Sequence, residues 1–190
     1  MNGEIDMVFE VLKRGDGRRR GLTGDWNAWL EQADALYDRF LGRVGESPFA
    51  YHEVASSGFL ASAAALAGFI PLAEYEIIKR GKVDRRTRAD GRADLWFASP
   101  GRAYSFELKR ALLSATLGNL AAGLHAAVDD VSCIPREEYH YAAGLLVTRV
   151  RDVEREPVYR AFAASDRVDA AYRIGPDGEN GAYLFFRLTC

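Results

Sequence analysis

Apolar positions change period several times along the chain, and each change marks an element. Trp29, Leu30, Ala33, Leu36, Tyr37, Phe40 and Leu41 recur at three- and four-residue steps, which predicts a helix with one buried stripe. Asp25 reads as its N-cap, with Trp26 opening the helix and Gly42 or Gly45 ending it. The Ala- and Ser-rich residues 50–67 predict a second helix, stopped at Gly68. Residues 71–79 alternate as a strand with Leu72, Tyr75 and Ile77 inward. Residues 92–110, RADLWFASPGRAYSFELKR, hold two further alternations joined at Ser99-Pro100-Gly101-Arg102, the pattern of a hairpin. Helical spacing returns over residues 111–130 in spite of Gly118 and Gly123, which let a helix lie close to a sheet. The continuous apolar run 141–150 predicts a central strand buried on both faces. Residues 156–172 read as a helix starting at Pro157, and 182–189 as a last strand. The order α, α, β, β, β, α, β, α, β predicts an α/β sandwich around a mixed sheet.

A chain of 190 residues suits one domain with a full hydrophobic core. It divides into a basic segment plus helix over 1–45, a central core over 46–150, and a helix and strand extension over 151–190. At 48% hydrophobic and 27% charged, the composition is that of an ordinary globular protein and excludes a disordered or fibrous one. With no apolar run of the roughly 20 residues that a membrane span needs, and no signal-peptide pattern at the N-terminus, a cytoplasmic location without a membrane partner is expected. Cys133 and Cys190 lie far apart and outside any metal-ligand spacing, so free thiols are expected. The 25 basic residues nearly cancel the 27 acidic ones, and overall charge identifies no partner. Locally, Lys13, Arg14, Arg18, Arg19 and Arg20 form one basic cluster, and Lys79, Arg80, Lys82, Arg85, Arg86 and Arg88 another. Such clusters can neutralise phosphates, although solvated loops are the usual home of charge runs.

Candidate chemistry concentrates in the hairpin. Pairing Ala98 with Ala103 across the turn sets Leu95 against Phe106, Phe97 against Tyr104 and Ala93 against Leu108 on an apolar face. The other face opposes Trp96 to Ser105, Asp94 to Glu107 and Arg92 to Lys109. Two carboxylates about 5 Å apart repel by roughly 3 kcal/mol at an effective dielectric near 20, so the pairing is a liability without a cation. A hard divalent ion such as Mg²⁺ reverses that sign, because it is commonly held by one or two carboxylates plus waters and phosphate oxygens. Lys109 shares the face of Glu107, where an ammonium can orient a water or offset charge developing on a phosphate.

The stretch GRADLWF…YSFELKR resembles the Asp…Glu-x-Lys signature of the PD-(D/E)xK nuclease superfamily. That resemblance implies a restriction-endonuclease-like fold, a three-layer α/β/α sandwich whose core runs helix, three strands, helix, strand, with the Asp on the second strand and Glu-x-Lys on the third. It implies a Mg²⁺- or Mn²⁺-dependent endonuclease that hydrolyses phosphodiester bonds of DNA, and a homodimer as one arrangement. Asp94 and Glu107 correspond to the first and second metal ligands and Lys109 to the catalytic lysine, while Glu53 matches the glutamate that many members carry on the first core helix and is expected as a third metal ligand. Ala93 stands where the family has the Pro before the Asp. A module that binds nucleic acid or protein on the same fold without turnover is the alternative.

Around these four, Arg85, Arg86, Arg88 and Arg110 are candidate phosphate contacts. Glu74 and Glu76 compete with Glu53, and Asp90 with Asp94, although Ala89-Asp90-Gly91 reads better as a turn. Trp96 reads as packing before base stacking, and His125 as a packed histidine; His52 and His140 have no motif partner.

Overall fold

The computed structural model describes residues 7–15, 20–84, 86–111 and 116–189. It is a mixed α/β structure of four α-helices and one seven-stranded sheet. The elements run β1 (Glu10–Lys13), α1 (Arg20–Val44), α2 (Glu53–Leu66), β2 (Ile70–Arg80), β3 (Arg88–Ser99), β4 (Arg102–Arg110), α3 (Leu117–Val131), β5 (Tyr141–Arg149), α4 (Glu156–Ala164), β6 (Ala170–Ile174) and β7 (Ala182–Thr189). The sheet order is β1-β6-β7-β5-β4-β3-β2. β4 and β5 run parallel, joined through α3, and the other neighbouring pairs are antiparallel.

Of three apolar clusters among the described residues, the two larger hold most of the helical packing on the sheet. Trp26 and Trp29 of α1 and Leu60 and Ala63 of α2 share one with Leu95, Phe97, Phe106, Leu145 and Phe186. Leu120 and Leu124 of α3 and Tyr159 and Phe162 of α4 share the other with Leu146, Tyr183 and Phe185. Gly144 in β5 lets α3 come close, since a Cβ there would lie 2.6 Å from the Val128 backbone nitrogen. Among the described residues no helix is long and apolar enough to cross a membrane.

Several predicted boundaries hold. Gly45 and Gly68 follow α1 and α2 with φ of 76° and 83°, the left-handed backbone that glycine adopts without steric cost. Two predictions fail at element ends. α1 begins at Arg20, so Asp25 lies inside the helix and is not its cap. Its Oδ2 instead accepts from Ser99 Oγ at 2.6 Å and Tyr104 Oη at 2.5 Å, with Arg102 Nη1 at 3.4 Å, and so ties α1 to the hairpin turn. The helix expected over 156–172 stops at Ala164, and Ala170–Ile174 becomes β6, buried along its whole length between β1 and β7. The C-terminal extension therefore adds two strands, and β1 joins them from the N-terminal segment.

The hairpin register is as predicted from Leu95–Phe106 through Trp96–Ser105 and Phe97–Tyr104 to Ala98–Ala103. Beyond Leu95 the ladder ends. Ala93 does not join Leu108 on the apolar face; it packs with Val131, Ile134 and Ala142, while Leu95 and Leu108 belong to the α1–α2 cluster. The cause lies on β2, where Glu74 has a φ of 52° and the ladder with β3 passes from Ala73–Leu95 to Tyr75–Ala93 without a Glu74–Asp94 pair. A left-handed non-glycine residue interrupts regular alternation, and here it turns the following side chains to the other face.

Candidate functional site

Alternation along β4 places Phe106 and Leu108 in the α1–α2 cluster, which sends Glu107 and Lys109 to the side of α3. Glu107 is only 3% exposed. Asp94 approaches from β3 at the point where the ladder opens, and its Oδ2 accepts from the Leu108 backbone N–H at 2.6 Å. The carboxylate thus replaces the lost strand pairing and is fixed beside Glu107. Burial pushes the Glu107 carboxyl up to about 7, and the neighbouring Asp94 charge adds to the shift. Burial likewise raises Asp94, against the hydrogen bond from Leu108 and the positive charge of Lys109. The Asp94 charge thus disfavours ionisation of Glu107, the sense expected of neighbouring carboxylates.

Lysines make ion pairs around these two carboxylates. Lys79 Nζ of β2 lies 2.7 Å from Glu107 Oε1. Lys109 Nζ lies 3.1 Å from Asp130 Oδ2 and 3.7 Å from Glu53 Oε2, and Lys82 also pairs with Asp130. Burial opposes the Lys109 ammonium, but its bond to Asp130 and the charge of Glu53 outweigh this and raise its pKa. Glu53 stands in the first turn of α2, where the helix N-terminus favours a carboxylate, and His52 caps that helix by accepting from the Ala55 N–H at 3.3 Å.

The four motif residues thus meet at one place, in two subgroups: Asp94 with Glu107, and Lys109 with Glu53. Among the described residues, no group of three or more His, Cys, Asp or Glu side chains is arranged to hold a metal ion. The donor set fits a smaller requirement. Asp94 and Glu107 are two adjacent carboxylates, and Glu107 Oε1 is buried without an aligned hydrogen bond among the described residues, its compensation being the ion pair with Lys79. A divalent cation held by two carboxylates and completed by water or phosphate oxygens is compatible with that pair.

Lys79 and Asp130 were not assigned to the site from sequence. Lys79 was legible in principle, since one more step of two beyond Tyr75 and Ile77 reaches it and both of those pack on the α3 side. Asp130, near the C-terminal end of α3, reaches the site only through tertiary packing.

Among the described residues the arginines make no ion pair with Asp94 or Glu107, although Arg110 feels the charge of Glu53. Arg110 Nη2 donates to the Phe49 carbonyl at 2.7 Å, on the α1–α2 side. Arg86 sits in an exposed turn, its backbone N–H bound to Asp84 Oδ1, and Arg85 lies outside the described residues. Arg88, Asp90 and Trp96 line an open groove of about 1500 Å³ between β2, β3 and residues 135–140. Trp96 Nε1 donates to the Glu138 carbonyl at 2.9 Å. Glu74 is raised by burial and by the charge of Asp94, which places it at the margin of the site. His140 Nδ1 accepts from the Ala103 N–H at 2.8 Å, and the exposed His125 lies 3.5 Å from Asp129. No family model, no curated protein and no solved structure matches the chain.

Proposed function

We propose that the protein is a divalent-cation-dependent, nuclease-like hydrolase of phosphodiester bonds in DNA, with a restriction-endonuclease-like core inside a three-layer α/β/α sandwich. The observation that carries this reading is the carboxylate pair of half-buried Asp94 and buried Glu107, with Lys109 on the same side of the sheet. Support comes from the run α2, β2, β3, β4, α3, β5, in which β4 and β5 are parallel, with Asp94 on the second of the three consecutive strands and Glu107 and Lys109 on the third. Helices from α1 and α2 in one apolar cluster and from α3 and α4 in the other agree with helical layers on both sides of the sheet.

Asp94 and Glu107 would hold Mg²⁺ or Mn²⁺, which supplies an acidified water and polarisation of the phosphate. Asp94 is oriented by the Leu108 N–H, so its carboxylate needs little reorganisation. Lys109, steadied by Asp130 and Glu53, presents an ammonium that can orient the attacking water or offset charge on a phosphate oxygen. Glu53 acts here as a positioning residue. Direct attack by water needs no covalent intermediate on the protein. The test is cleavage of plasmid and single-stranded DNA with Mg²⁺ or Mn²⁺. Asp94→Ala and Lys109→Ala are each expected to lower the rate at least 100-fold, in the range that general acid–base or electrostatic groups contribute. Activity surviving both substitutions overturns the assignment.

The second reading, a binding module without turnover, is favoured by one observation: Lys79 already neutralises Glu107. It predicts salt-sensitive DNA binding that is indifferent to metal and to Asp94→Ala.

A further inference from the structure

We infer that Lys79 is the resident counter-cation of the Asp94–Glu107 pair, and that its ammonium and a divalent cation occupy the Glu107 carboxylate in alternation. This rests on the reading of Asp94 and Glu107 as a divalent-cation site. The geometry has three parts. Lys79 Nζ is 2.7 Å from Glu107 Oε1, so a metal at that oxygen and the ammonium cannot share the position. The two partners differ in freedom: the side chain of Glu107 is 4% exposed and that of Lys79 is 23% exposed, so the lysine can swing toward solvent while the carboxylate stays. The lysine's seat is also specific. On the neighbouring strand Gly91 makes room for its stem in the Glu107-bound position, since a Cβ at Gly91 would stand 3.1 Å from Lys79 Cδ and 3.3 Å from Cγ.

A buried carboxylate beside a second one is costly to leave uncompensated. The Lys79 ammonium offsets part of that cost in the metal-free protein. Metal binding then carries the work of displacing Lys79, and the ion entering is matched by a charge leaving. Lys109 is not the exchanging cation, because it is engaged with Asp130 and Glu53.

The test is Mn²⁺ titration of the full chain by calorimetry, comparing wild type, Lys79→Met and Gly91→Val. Lys79→Met keeps the stem and removes the charge; Gly91→Val leaves the charge and crowds the stem out of its seat beside Glu107. Both are expected to bind Mn²⁺ more tightly, Lys79→Met by about ten-fold, inside the roughly 5- to 150-fold range of typical coupling between ligands. Should Lys79→Met fold poorly, Mg²⁺ titration of wild type followed by NMR at the Lys79 ε-methylene gives the same answer. That signal is expected to move and to saturate at the Kd that calorimetry gives for Mg²⁺ on the wild-type protein. Mn²⁺ binding that Asp94→Ala abolishes but Lys79→Met leaves unchanged or weakens, or a Lys79 signal that stays still through saturation, overturns the exchange while leaving the metal site standing. Absence of Mn²⁺ binding in wild type and both variants overturns the metal reading, and the exchange with it.

Discussion

The two faces of β4 are made by one nine-residue strand and obey opposite energetics. On one face Tyr104, Phe106 and Leu108 are fully buried in a cluster with Trp26, Trp29 and Phe186, where ring centroids lie 4.6–6.5 Å apart. Every group there gains by leaving water. On the other face Ser105 and Glu107 are equally removed from solvent, but burial raises the cost of ionising Glu107. The first face makes the strand rigid, and the second uses that rigidity to hold like charges together. A flexible loop carrying Asp94 and Glu107 would relax them apart.

The largest effect that tests this contrast is removal of an apolar anchor. Phe106→Ala leaves a cavity among Trp26, Trp29 and Phe97 and is expected to cost about 3–5 kcal/mol, measured by urea unfolding. A loss below about 1 kcal/mol would mean that the apolar face does not anchor the strand.

Glu107→Gln probes the polar face. A carboxyl raised in the folded protein from 4.5 to about 7 binds its proton more tightly there than in the unfolded chain. Its contribution to stability is complete below pH 4.5 and declines as pH rises toward 7, by up to about 3 kcal/mol. Glu107→Gln in metal-free buffer is therefore expected to lose less stability between pH 5 and pH 7.5 than wild type does. Parallel pH profiles for the two proteins would refute the burial-driven shift.

The smallest effect sharpens where the polar face is closed. Gly144 pairs with Glu107 across β4 and β5, and the α3 backbone lies over it. Gly144→Ala is expected to cost about 1–3 kcal/mol through overpacking, read as a lower Tm. An unchanged Tm would show that α3 has room to shift away from Glu107.

How much of this was legible in the chain depended on whether the signal was local. The hairpin register from Leu95–Phe106 to Ala98–Ala103 followed from period-two alternation around a short turn, a property of contiguous residues, whereas the expected Asp94–Glu107 and Arg92–Lys109 pairs lie beyond the end of the ladder. Helix bodies and their glycine stops were legible for the same reason. Asp25 was misread because Ser99, Tyr104 and Arg102, 74 or more positions away, supply the donors that claim its carboxylate. Residues 170–174 gave no local preference strong enough to separate strand from helix, and pairing with β1 and β7 decided it. The face reversal at Asp94 came from Glu74 on the adjoining strand, and the lysines that neutralise the site came from β2 and from the turn after it. Sequence determined which residues alternate, and hence which side chains Glu107 and Lys109 accompany. Tertiary structure alone decided which charges they meet, because a counter-charge acts through space and leaves no periodic trace along the chain.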